Sequence, residues 1–277
     1  MARGIESEFI KITPTRAAEL LANNGVNRRL RPQLVGSYAE DMAQGLWRAT
    51  GEAIKVSRTG RLLDGQHRLN AVIEFGKPIE MLVVTGLPDD AQELMDQGAA
   101  RSAADALAMH GFQYVTLTAG VARWLLLAGE PGEHMEQALK KKSSVARVLK
   151  TAQENLDVAT AAAQYPSLQH HVPGSPTALC YTWLWLSRTD ASACDEFWQA
   201  LIEMNFYPAG RDPRKAGLRA LQRMDRDEGI GGASKDKAIA TVSVLTRTWN
   251  FWRKREDIDS LQIRNTRGQI IPPVHPV

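Results

Sequence analysis

Between Leu62 and Val72 the chain reads LLDGQHRLNAV, and these residue types at this spacing can hold an anion. Gly65 follows a capping Asp64 where strand-like apolar residues give way to helical spacing. A glycine there lets the backbone approach a ligand closely, while the first N–H groups of the helix point outward. The helix start contributes roughly half a positive charge, and Arg68 and His67 add side-chain donors suited to phosphate oxygens. Arg68 carries most weight. Gln66 donates or accepts but has no fixed charge, so its expected task is to orient a base, a water or a metal-bound oxygen. Were the bound anion to react, a proton acceptor would be needed, for which Asp64 is the nearest carboxylate, with His67 beside it as the second candidate catalytic group. The plainer account of the same residues is a helix cap at Asp64, a turn at Gly65 and a solvated first-turn Arg68.

The elements around this turn are expected as follows. Thr13 caps a helix whose first residue is Pro14 and which ends at Asn23-Asn24-Gly25. A second helix runs from about Pro32 to Gln44, with Leu34, Val35, Tyr38 and Met42 on one face and Gly45 as terminator. Glu52 to Ser57 alternates as a strand, Thr59-Gly60 turns, and Arg61 to Leu63 resumes, so the two form a hairpin. The helix after Asp64 buries Leu69, Val72 and Ile73 and stops at Gly76, and Ile79 to Leu87 is a buried strand. Ser102 caps a helix through Met109. Beyond it Val115 to Ala128, Ser144 to Ala163, Thr177 to Ser187, Cys194 to Met204, Pro213 to Met224 and Ser234 to Arg255 all carry helical periodicity. AGEPGEHMEQALKKKSS is expected as an exposed connection, and the closing IIPPVHPV as extended chain. The fold class is therefore α+β, a front domain over residues 1–112 followed by an all-α domain over 113–277.

With 277 residues, 44% hydrophobic and 23% charged, the chain suits two globular domains, and no apolar run is long enough to span a bilayer. The opening MARGIESEFIKI lacks the apolar core of a secretory signal, so a cytoplasmic protein is expected. Two cysteines, Cys180 and Cys194, argue against a disulfide framework and against a cysteine zinc site. The net charge of +3 neither requires nor opposes a nucleic-acid partner. Two basic stripes would neutralise phosphates if DNA binds: Lys140, Lys141 and Lys142 with Arg147 and Lys150, and Lys215, Arg219 and Arg223 at four-residue spacing. Solvated faces are the commoner use of such stripes. Trp183, Trp185, Trp198, Trp249 and Trp252 sit at apolar helical positions and are expected in the core. His170-His171 reads as a surface loop, and no metal site is expected.

LLDGQHRLNAVIEFGKPIEMLVV resembles the signature of the ParB/sulfiredoxin fold, in which a glycine-containing turn ending in Arg opens a helix against nucleotide phosphates. The order of elements agrees: Asn27-Arg28-Arg29-Leu30-Arg31, a helix ending near Gly45, then a hairpin into the turn. The resemblance implies a nucleotide-binding front domain of a small mixed sheet with helices. It implies a nucleoside triphosphate, ATP or CTP, with Mg²⁺ as cofactor, and ligand-facing arginines at Arg28 and Arg31 beside Gly65, Gln66, His67 and Arg68. Where sulfiredoxins place a reactive Cys and ParB proteins a Glu, this chain has Gln66. The DG-x-HR turn of the free-serine kinases of this fold is reproduced by Asp64, Gly65, His67 and Arg68, which implies phosphoryl transfer. A group of phage-associated and bacterial proteins with such a front and a helical back also carries a Trp-Asn pair like Trp249-Asn250. The function implied is nucleotide binding, with NTP hydrolysis or phosphotransfer, in a phage- or plasmid-type DNA transaction. The alternative is a non-enzymatic DNA-binding or protein-interaction module, and either reading leaves room for a homodimer. Asp96 and Arg101, in MDQGAARSAADAL, offer a ribose or partner contact or, more simply, a structural bridge.

Overall fold

The computed structural model describes residues 4–24, 30–91, 102–207, 211–226 and 235–277, leaving the side chain of residue 225 aside. Two compact units divide the chain: Met1–Arg101 with Lys142–Arg147, and Ser102–Lys141 with Val148–Val277. The division expected near residue 112 thus falls ahead of the helix that Ser102 caps, and a short later segment belongs with the first unit.

The first unit is α+β. Its elements are β1 (Glu6–Ile12), α1 (Pro14–Ala22), α2 (Pro32–Ala43), β2 (Ile54–Ser57), β3 (Leu62–Asp64), α3 (Gln66–Phe75) and β4 (Ile79–Leu87). The mixed sheet has the order β1-β4-β2-β3, with β1 antiparallel to β4, β2 parallel to β4 and β3 antiparallel to β2. The opening segment, expected only to lack a secretory core, supplies the edge strand β1, where Ile10 and Ile12 alternate inward while Phe9 and Lys11 face out. The hairpin of β2 and β3 and the strand β4 form as expected. Ile12, Ile54, Val56, Leu62, Met81 and Val83 pack from the sheet onto Ala17, Val35, Ala39, Leu69 and Val72 of the helices. Ile73, expected on the buried face of α3, is instead 41% exposed. Because α3 packs against both α1 and α2, the buried arc is set by those two neighbours and takes Ala71 and Val72.

The second unit is helical. In order come α4 (Ala103–Met109), α5 (Val115–Ala128), α6 (Met135–Ala138), α7 (Val145–Glu154, entered from the first unit), α8 (Asp157–Ala163), α9 (Tyr165–Leu168), α10 (Pro176–Thr189), α11 (Ala191–Glu203), α12 (Pro213–Arg226) and α13 (Lys235–Arg253). The capping box that starts α4 has Ser102 and Asp105 exchanging side-chain and backbone bonds. A single helix expected from Ser144 to Ala163 is broken after Glu154. There the Asn155 amide donates to the Thr151 carbonyl at 2.9 Å, so a side chain takes a bond of the backbone ladder. The connection expected to be exposed holds α6, with Met135, Ala138 and Leu139 buried against Trp124, Tyr181 and Ile239. Three apolar residues in so short a stretch give too little periodicity to register in the sequence.

Phe197, Trp198, Trp249 and Trp252 form a linked aromatic core with centroids 5.5 to 5.7 Å apart, as expected of those tryptophans. The extended tail is pinned to α13: Trp249 Nε1 donates to the Val277 carbonyl, and Asn250 exchanges bonds with His275 and Val277. Among the described residues no helix is long and apolar enough to cross a membrane.

Candidate functional site

The turn after β3 depends on a register slip. Val56 stands opposite Leu62, but Lys55 stands opposite Asp64, so one extra residue is taken up between them. A bulge of this kind re-aims the residue that follows it. It brings Asp64 onto the face of the sheet that Lys55 occupies, with Lys55 Nζ 3.7 Å from Asp64 Oδ2. Gly65 comes next at φ 107°, in a left-handed conformation that L side chains rarely adopt. A Cβ there would lie 2.5 Å from Ile54 Cδ1 and 3.3 Å from Ile54 Cα. The close approach expected between this glycine and a ligand is therefore an approach to the chain's own strand β2.

Asp64 does not cap α3 as expected. Gly65 holds the N-cap position and has no side chain to bond the first turn. The carboxylate turns back on its neighbours instead, Oδ1 accepting the Gly65 N–H at 2.7 Å and Oδ2 accepting Arg68 Nη2 at 3.0 Å. Arg68 is expected to be the chief phosphate ligand, but its side chain is 13% exposed and braced internally. Nη1 donates to the Glu52 carbonyl at 2.7 Å and Nη2 to the Ala53 carbonyl at 3.0 Å. The reason is geometric: a planar fork satisfies a carboxylate and two carbonyls at once, tying the lead into β2 to the first turn of α3. Of its five N–H groups these bonds use three, leaving Nε–H and one proton on Nη1. Gln66 is buried, its Oε1 accepting from Asn24 Nδ2 at 3.3 Å, so it fixes the turn from behind.

Arg31, at the N-cap of α2, donates its backbone N–H to His67 Nε2 at 3.1 Å. An Nε2 that accepts leaves Nδ1 as the ring nitrogen that carries the proton. Arg28 lies outside the described residues, as do Asp96 and Arg101. Lys140, Lys141 and Lys142 are exposed, Lys140 pairing with Glu136 at 2.8 Å. Arg147, expected in their stripe, is buried and paired with Glu40, because its guanidinium is drawn down onto α2. Lys215, Arg219 and Arg223 are exposed along α12.

The turn opens into a cleft of about 950 Å³ within the first unit. Asp64, Gly65, His67 and Arg68 form one side. Arg31, Leu34 and Tyr38 from α2, the segment 46–52, and Phe9, Lys55, Glu80 and Leu82 from the outer sheet face form the rest. That volume falls within the roughly 300–1,000 Å³ usual for small-ligand sites. Four cations, Arg31, Arg48, Lys55 and Arg68, face three carboxylates, Glu52, Asp64 and Glu80. Tyr38 and Trp47 meet edge to face at 5.7 Å and give the cleft an aromatic wall. Burial pushes the Tyr38 phenol above its ordinary pKa despite the opposing pull of Arg68, so it offers a neutral O–H.

Sequence reasoning missed Lys55, Trp47, Arg48 and Glu52 as site residues. A signal existed for Lys55: in EAIKVS the alternation sets it on the face opposite Ile54 and Val56, one strand from the turn. Among the described residues no group of three or more His, Cys, Asp or Glu is placed to hold a metal ion. Mg²⁺ commonly arrives with substrate phosphates and takes one or two carboxylates. Asp64 already accepts two hydrogen bonds and pairs with Lys55, so Glu52 and Glu80 are the carboxylates that fit such an ion. No family model, curated protein or solved structure matches the chain.

Proposed function

We propose that the cleft of the first unit binds a nucleoside triphosphate, ATP or CTP, as its Mg²⁺ complex. The phosphates lie at the first turn of α3 and the base against Tyr38 and Trp47. The observation that carries this reading is the cleft itself, in which the first turn of α3 meets Arg31, Lys55 and His67 beside an aromatic wall. A helix start favours an anion through its dipole, and the aromatic wall suits a planar ring. Likeness of the DGQHR turn to the ParB/sulfiredoxin signature supports the same ligand and sets it in a phage- or plasmid-type DNA transaction. Mg²⁺, held through Glu52 or Glu80, supplies charge neutralisation of the phosphates. Lys55 and Arg31 provide the mobile cations, Arg68 holds the turn in shape, and Tyr38 excludes water from the ring.

One feature favours binding without turnover. The Asp64 oxygens already accept from Gly65 and Arg68 and pair with Lys55 at 3.7 Å, which leaves this carboxylate poorly placed to take a proton from a nucleophile. Calorimetric titration with ATP, CTP and GTP, with and without Mg²⁺, tests the proposal. A charge-assisted contact contributes about 1.5–3 kcal/mol, so Lys55→Ala and Arg31→Ala are each expected to weaken binding by about 10- to 100-fold. No heat with any of the three nucleotides would overturn the reading. Phosphate release that Asp64→Asn abolishes would establish turnover, and binding without release supports a nucleotide-loaded module.

A further inference from the structure

The second unit carries a cationic surface that the cleft does not use. On α12, Lys215, Arg219, Arg223 and Arg226 recur at spacings of four, four and three residues, and all four are exposed. The opposite side of the helix holds Ala216, Leu218, Ala220, Leu221 and Met224 in the core, so the basic residues share the one side left to solvent. Four other described arginines of this unit are neutralised. Arg188 pairs with Asp157, Arg211 with Asp259, Arg214 with Asp212 and Arg253 with Asp190. Lys215, Arg219 and Arg226 have no ion pair among the described residues. A second feature extends the surface. Arg223 donates to the Leu261 carbonyl at 2.8 Å and Arg247 to the Gln262 carbonyl at 2.8 Å, which fastens the following turn beside α12. That turn closes through the Arg264–Ile270 bridge and presents Arg267 exposed at its tip.

We propose that this surface, Lys215, Arg219 and Arg226 of α12 with Arg267 of the adjoining turn, binds the phosphate backbone of duplex DNA without selecting bases. The spacing argues for a regular polyanion. With a rise of about 1.5 Å per residue, cations four residues apart sit about 6 Å apart along the axis. Successive phosphates on one strand advance about 3.4 Å along the duplex axis while also winding round it, which brings the separation of neighbouring phosphates close to that repeat. The aromatic inventory argues for a duplex over a single strand. Trp198, Trp249 and Trp252 are locked in the core, the Tyr207 ring is covered by Arg214, and among the described residues no aromatic side chain lies on the exposed face of α12 to stack an unpaired base. The proposal rests on the second unit alone and does not depend on what the cleft of the first unit holds.

The test is fluorescence anisotropy of the full chain with a labelled 20-base-pair duplex of arbitrary sequence, without nucleotide, across 50 to 200 mM salt. Four phosphate contacts give a slope of log affinity against log salt near −3.6, an affinity loss of about 150-fold over that range. The triple variant Lys215→Ala, Arg219→Ala, Arg226→Ala is expected to keep its thermal midpoint and reduce the slope to about −0.9. Arg223 is left in place because it holds the turn. The variant Lys140→Ala, Lys141→Ala, Lys142→Ala is expected to leave the slope unchanged. Unaltered binding by the α12 variant, loss of binding in the Lys140–Lys142 variant alone, or tighter binding to single-stranded DNA of the same length would each overturn the proposal.

Discussion

Gly65 shows how narrowly one residue can be specified. Its positive φ and the Ile54 side chain 2.5 Å from where a Cβ would stand are separate obstacles, and any substitution meets both. Backbone strain of this kind costs about 1–3 kcal/mol and overpacking a similar amount. Gly65→Ala is therefore expected to lower the urea midpoint by the equivalent of about 2–4 kcal/mol. Ile54→Val, which removes the nearest atom, is expected to restore part of the loss in the double variant. A double variant no more stable than Gly65→Ala alone would show that the clash with Ile54 contributes nothing. The need for glycine was legible in the sequence, since few other residues serve between a strand and a helix start. What it makes room for was not legible, because β2 is brought against the turn by pairing and not by adjacency. Arg68 makes the same point: its acceptors at Glu52 and Ala53 lie sixteen and fifteen residues back along the chain.

At the scale of an element, α12 depends on the residue just before it. Asp212 accepts the Arg214 backbone N–H at 2.9 Å, the Tyr207 N–H at 3.0 Å and two bonds from the Arg214 guanidinium. That guanidinium also lies over the Tyr207 and Trp252 rings at 4.6 and 5.1 Å. Burial alone would raise the Asp212 pKa, but the hydrogen bonds from Arg214 and Tyr207 outweigh it and the net shift is downward. A carboxylate whose folded pKa lies below its unfolded value stabilises the protein above the unfolded pKa. That contribution is lost as pH falls through the folded one. Asp212→Ala leaves the buried Arg214 guanidinium with only the exposed Glu196 carboxylate, 3.6 Å from Nη1, so a loss of about 3 kcal/mol at neutral pH is expected from urea unfolding. The difference from wild type should shrink below about pH 4, where the unfolded Asp protonates, and shrink further as the folded one does. A pH-independent difference would show that ionisation of Asp212 is not what matters. The elements themselves were mostly legible, the hairpin, α3 and β4 among them. The bulge that turns Asp64 toward Lys55 was not, since a register slip leaves no mark on hydrophobic alternation.

Across the whole molecule, each unit has its own core, and the two proposed ligands fall to different units. Lys55→Ala is accordingly expected to weaken nucleotide binding and leave the salt slope for duplex DNA unchanged. The α12 triple variant should do the reverse, and a variant that impairs both would show that the two surfaces act as one. Trp47 is the tryptophan in the cleft lining, whereas the other six of the seven lie in the second unit. Nucleotide-induced quenching should therefore vanish in Trp47→Phe, as a fluorescence titration would record. Cys180 and Cys194 are buried, with thiols pushed up to about 12, so neither perturbs these measurements by reacting.

The sequence by itself determined the class of each half, the start and end of most elements, and the identity of the turn at Asp64–Arg68. Those features rest on periodicity, caps and glycine, which act over a few residues. Only the tertiary structure decided that Arg68 braces the turn, that Lys55 and Arg31 face the space beside it, and that Arg147 leaves its basic stripe to pair with Glu40. Which charges are spent internally and which remain for a ligand depends on partners distant in the chain, and hydrogen bonds between such partners form only once strands pair and helices pack.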